Sequence, residues 1–137
     1  MFSPNQGSGA LALIVVIGLL ASGCGSSGSL SASALTKEST SLKSLAAEGA
    51  LLARDSAAGK TTGIYTRVHS EDLDKMVSKS AKSLQAAKTA PALEPKLRKV
   101  AALAGKVSAD LKRLGHASKA EQSRLARELA ASAKELG

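Results

Sequence analysis

The amino-acid sequence predicts an all-α protein, an up-down-up-down four-helix bundle after a signal peptide and a flexible tether. Three observations lead there. Leu and Ala dominate, and Tyr65 is the only aromatic residue after Phe2; that composition suits helices packed through small residues better than a β-rich core. Beyond residue 30, apolar residues recur at three- and four-residue steps in four stretches. The breaks between these stretches are only a few residues long, and helices joined so tightly run antiparallel to their neighbours. Three helices with a loosely packed fourth is the fold-level alternative. At ~1.5 Å per residue, helices of about 20 to 27 residues make a rod some 30 to 40 Å long.

The chain opens on MFSPNQGSG, which carries no Lys or Arg, and then runs ALALIVVIGLLASGC from Ala10 to Cys24. The apolar part is roughly a dozen residues, which falls short of the ~20 that cross a bilayer as a helix and matches the length of a secretory signal core. It gives way to the small residues Ala21-Ser22-Gly23 and stops at Cys24, the only cysteine of the chain. Small side chains let an extended backbone enter a protease cleft, and a thiol is a soft nucleophile able to form a thioether. Leu20-Ala21-Ser22-Gly23-Cys24 resembles the lipobox of bacterial lipoproteins, with Ala21 where Leu is commoner. The resemblance covers about the first thirty residues. It implies attachment of diacylglycerol to Cys24 and cleavage between Gly23 and Cys24. The expected organisation is a signal peptide over 1–23, a lipidated cysteine and Gly/Ser tether over 24–34, and a helical bundle over 35–137. The tether, Gly25-Ser26-Ser27-Gly28-Ser29, is flexible and polar.

Removing 23 of the 137 residues leaves 114, one small domain. Helix one is expected from about Leu35, with Leu35, Leu42, Leu45, Gly49 and Leu52 on its seam. It should end near Ala58, where Gly59 can take the left-handed cap conformation. Helix two begins at Thr61 or Thr62, either of which can cap it. A rival start lies at Ser70, ahead of Glu71 and Asp72; the earlier start is favoured because Ile64, Tyr65 and Val68 keep the helical period. Its inner face is expected to run through Tyr65, His69, Leu73, Met76, Ser80, Leu84 and Ala87. Pro91 breaks the pattern, and helix three follows with Pro91 or Pro95 in its first turn. Its seam is the cleanest: Leu93, Leu97, Val100, Ala104, Val107, Leu111 and Leu114. Gly115 supplies a cap. Ser118-Lys119-Ala120-Glu121 matches a capping box and opens helix four, whose seam is Gln122, Leu125, Leu129, Ser132 and Leu136.

The sequence argues against an enzyme. A di-metal carboxylate bundle needs Glu-x-x-His pairs, but Thr66 and Arg113 stand three residues before His69 and His116. His69 and Asp72, one turn apart, are too few ligands for a dedicated metal site. Arg54, Asp55, Tyr65 and Arg67 read as a solvated cluster at the first hairpin. Gly59-Lys60-Thr61 ends like a phosphate-binding loop, but the earlier glycine is replaced by Arg54, and no serine sits in a nucleophile turn. No metal and no cofactor are expected.

Charge is what remains. All 19 Lys and Arg and all 11 Asp and Glu lie from Lys37 onward, so the net charge of +8 belongs to the helical part. Lys96, Lys99, Lys106 and Arg113 line up beside the helix-three seam as a basic stripe interrupted by Leu103 and Asp110. A solvated face that keeps a small protein soluble accounts for such a stripe; attraction to anionic lipid headgroups or envelope polymers is the functional reading. Nucleic acid is a poorer partner, because no aromatic side chains accompany the charges for stacking. The expectation is an exported, non-enzymatic lipoprotein of the cell envelope. It would be held to the membrane through lipid on Cys24 and would bind an envelope protein or an anionic polymer. Self-association through leftover apolar surface stays open, and a membrane-tethered binder of a small ligand or metal is the alternative.

Overall fold

The structure, a computed structural model, describes residues 28–137; Cys24, Gly23 and the apolar stretch before them lie outside the described residues. Four α-helices follow one another: α1 Ala32–Ala57, α2 Gly63–Ala86, α3 Glu94–Leu114 and α4 Lys119–Glu135, with a 3-10 turn at Pro91–Leu93 leading into α3. No described helix is long and apolar enough to cross a membrane.

The helix ends follow local chemistry. α1 starts three residues earlier than its apolar seam suggests, because the Ser31 side chain accepts a hydrogen bond from the Ala34 amide and caps the first turn. Gly59, at φ 72°, turns the chain after α1 in a conformation that costs a glycine little. Thr62 caps α2 through the Tyr65 amide, so the earlier of the two expected starts is the one adopted. Ser118 caps α4 through the Glu121 amide, while the Glu121 carboxylate turns instead to Arg113 and Arg124. Gly115 caps α3 in an ordinary right-handed conformation. The space there is tight, since a Cβ would come within 3.2 Å of Ser70 Oγ and 3.3 Å of Arg67 Cγ, and these side chains would have to yield by a few tenths of an ångström.

α1 packs most extensively against α4, and α2 against α3. The start of α1 meets the end of α4, where Ser39 Oγ donates to the Leu136 carbonyl at 2.7 Å. The end of α1 meets the start of α2, where Thr66 Oγ1 lies 3.0 Å from Ser56 Oγ. The α3 seam is buried from Leu97 to Leu114, and Leu125 and Leu129 of α4 and Leu136 just after it are buried in the same cluster. A single cluster of buried apolar side chains runs from Leu35 to Leu136, so the chain after the tether carries the whole described core. Each buried Leu contributes about 2 kcal/mol. Gly49 leaves room for its neighbour on α3: a Cβ there would lie 2.7 Å from Leu111 Cδ2.

The inner face of α2 differs from the expected one. Tyr65 and Met76 are exposed, His69 is only half-buried, and the buried residues are Thr66, Ser70, Leu73, Val77, Ala81 and Leu84. The helix is turned because small side chains with internally bonded hydroxyls allow closer approach than a tyrosine does. Thr66 Oγ1 reaches the Thr62 carbonyl at 3.0 Å, and Ser70 Oγ donates to the Arg67 carbonyl at 2.9 Å. Self-satisfied hydroxyls of this kind lose little by burial.

Candidate functional site

The basic stripe of α3 is divided by the fold. Lys96, Lys99, Lys106 and Arg113 are all exposed, as a surface role requires. Leu103 and Asp110, however, do not interrupt the stripe from outside: both are buried. Asp110 accepts a hydrogen bond from Lys106 Nζ at 3.0 Å and sits 3.7 Å from Arg113 Nη1. Arg113 also donates to Glu121 Oε1 at 2.8 Å, and that hydrogen bond raises its pKa above the ordinary arginine value. Lys106 and Arg113 thus serve to neutralise a buried carboxylate and to join α3 to α4. Lys96 and Lys99 have no ion pair among the described residues.

The other side chains singled out in the sequence fall into local clusters. His69 Nε2 is 2.8 Å from Glu48 Oε1 on α1, and the ring stacks on Tyr65 with centroids 5.5 Å apart. Asp72 pairs with Lys75, not with His69, and the bond raises the lysine's pKa. Among the described residues no three His, Cys, Asp or Glu side chains gather as a metal ion requires. Asp55 lies 3.6 Å from Arg54 Nε and 3.8 Å from Lys60 Nζ, a cluster at the first hairpin that leaves out Tyr65 and Arg67.

Between α2 and α3 a hydroxyl–carboxylate group closes on itself. Ser108 Oγ donates to Asp74 Oδ1 at 2.5 Å, and Ser78 Oγ donates to the same oxygen at 2.9 Å. Ser108 is buried and Asp74 and Ser78 are half-buried, and the Ser108–Asp74 hydrogen bond runs between the two helices, so the group acts as a polar tie. Among the described residues, one open groove, about 770 Å³, runs between α1 and α4 and is lined mainly by alanines together with Leu51, Arg54 and Arg127. The second, about 690 Å³, lies where the end of α2 meets the start of α3, beside Lys88 and Arg98.

Two surface features were not read from the sequence. Ile64, Tyr65 and Val68 are 71%, 54% and 51% exposed, an apolar patch on the first turns of α2 whose helical spacing looks like that of a core face. The second is a concentration of charge. Between residues 79 and 99 there are six basic residues and one acidic, Glu94, and the fold gathers them at one end of the α2–α3 hairpin. Lys79, Lys82, Lys88, Lys96 and Lys99 are exposed and have no ion pair among the described residues; Arg98 pairs with Glu94. The chain matches no protein-family model, no curated protein and no solved structure.

Proposed function

We propose that this protein is a lipoprotein of the cell envelope, exported and anchored through lipid on Cys24. Its up-down-up-down bundle is a non-enzymatic interaction domain for a protein or an anionic envelope component. The observation that carries the reading is the order of segments: the lipobox-like Leu20-Ala21-Ser22-Gly23-Cys24, five Gly and Ser residues, and then a helical bundle beginning at Ala32. A reversible, charge-based adhesion becomes stable anchoring when two or more acyl chains are added, which is what a small basic domain outside the cell needs in order to stay there. The interaction role is supported by an interior spent on Leu and Ala packing and on hydroxyls whose hydrogen bonds are met within the bundle. A ligand binder requires polar groups converging on a cavity.

The test is intact-mass analysis of the protein from membranes. The expected product begins at Cys24 and is heavier than the bare chain by its acyl groups, and Cys24→Ser yields released or uncleaved protein. A membrane-bound mature chain of unmodified mass overturns the anchor. A large, saturable rise in melting temperature with a small ligand or metal ion, in a thermal-shift screen, would replace the interaction module by the tethered-binder reading.

A further inference from the structure

The position of Leu30 joins the anchor to the charge. Its amide donates to the Lys88 carbonyl at 2.6 Å, and Thr89 Oγ1 donates to the Leu30 carbonyl at 2.9 Å, so the end of the tether is clipped to the α2–α3 linker. Six residue steps separate Cys24 from Leu30, a reach of at most about 20 Å. The end of the α2–α3 hairpin so held is its more basic one. Lys79 and Lys82 lie in the last two turns of α2, Lys88 in the linker, and Lys96, Arg98 and Lys99 in the first two turns of α3. The opposite half of the same hairpin, residues 63–78 and 100–116, has five basic and four acidic residues. Its cations include Lys75, Lys106 and Arg113, which are occupied by Asp72, Asp110 and Glu121.

We infer that the tether end of the α2–α3 hairpin is a docking surface for anionic phospholipid headgroups, which seats the bundle end-on upon the membrane that carries its anchor. Charge complementarity argues for this occupant: five lysines unpaired among the described residues face outward where a lipid on Cys24 brings the leaflet within reach. Basic residues near a charged surface each add to binding, and the attraction decays over a Debye length of ~8 Å. It therefore acts only on the end that the clip at Leu30 holds nearby. The orientation rests on the lipidation of Cys24; the headgroup affinity does not.

The two can be tested apart. The chain from Cys24 onward, with Cys24→Ser, is sedimented with vesicles of phosphatidylcholine containing one-third phosphatidylglycerol. Binding is expected there, falling with salt, and not to phosphatidylcholine alone. Changing Lys82, Lys88, Lys96 and Lys99 to Gln should weaken it by about 100-fold or more, at about fivefold per residue. Changing Lys60, Arg67, Lys112 and Lys119 at the far end should cost less than about tenfold. Helical circular dichroism identical to the parent confirms that both variants are folded. Equal losses from the two variants, binding indifferent to phosphatidylglycerol, or tighter capture by soluble polyglycerol phosphate than by vesicles each overturns the docking surface. None of these outcomes bears on whether the native chain is lipidated, which its mass decides.

Discussion

The two ends of the α2–α3 hairpin are made from the same helices and treat charge in opposite ways. At the far end most of the cations are matched: Lys106 and Arg113 flank the buried Asp110, Arg113 and Arg124 share Glu121, and Lys75 holds Asp72, while Arg67 and Lys112 have no ion pair among the described residues. At the tether end Lys79, Lys82, Lys88, Lys96 and Lys99 are left without ion pairs among the described residues. The far end also exposes Ile64, Tyr65 and Val68, whereas the tether end exposes no large apolar side chain among those described. Along the outward side of α2 the order is apolar at Ile64 and Val68, acidic at Glu71 and Asp72, and basic at Lys75, Lys79 and Lys82. One end has charges that hold the structure together, and the other has charges that are free to hold something else.

The largest expected effect is one that does not distinguish the ends. Leu111 is wholly buried beside Gly49 and Leu129, and Leu111→Ala should cost about 3 kcal/mol in denaturant unfolding. That sets the scale of the common core. The comparison itself is sharpened by Asp110→Asn, expected to cost about 1–2 kcal/mol. A buried charge-assisted bond is lost, but Lys106 and Arg113 remain half-exposed and keep their hydration. Placed against it, Lys82, Lys88, Lys96 and Lys99 changed together to Gln should alter stability by no more than about 0.5 kcal/mol, as surface changes do. A loss as large as that of Asp110→Asn would show that the tether-end lysines are structural, and the contrast would fail.

Ile64→Ser with Val68→Ser tests the other half of the comparison. Unfolding stability should stay within about 0.5 kcal/mol, while any concentration-dependent association seen by sedimentation should weaken; a loss of several kcal/mol would mean that the patch is core. The smallest effect concerns pH. The Lys75 pKa is raised by its hydrogen bond to Asp72, so the pair's contribution is fully present below the ordinary lysine value of 10.5 and is lost as the pH rises through the raised one. Melting temperatures of the parent and Lys75→Gln should therefore differ by the same small amount at pH 7 and pH 9. A difference that vanishes at pH 9 would contradict that assignment.

How much of this was legible in the residues depended on what each helix uses for its core. The α3 seam could be read directly because Leu97, Val100, Val107, Leu111 and Leu114 are large and unbroken in period. α2 misled because Thr66, Ser70 and Ala81 are buried while Ile64, Tyr65 and Val68 are not, and hydropathy ranks those two sets the wrong way round. Asp110 could have been placed with Lys106 and Arg113 from its four- and three-residue spacing, since such pairs meet on a helix. Its burial could not, because burial depends on which other elements pack against α3. The lipobox resemblance needs no fold at all, being a matter of what an extended strand of chain presents to an enzyme.

Taken alone, the stretch from Ala10 to Cys24 set the expected address, and the three- and four-residue steps set the helices and their caps. These are properties of neighbouring residues, and local chemistry is sufficient to express them. Which side of α2 faces inward, which cations are neutralised, and that five of the unneutralised ones share an end with the tether were decided only by tertiary packing. The physical reason is that each depends on residues dozens of positions apart, such as Ser70 with Gly115, Lys106 with Ser132 at 3.4 Å and Leu30 with Lys88, meeting at distances that the linear order of a chain does not contain.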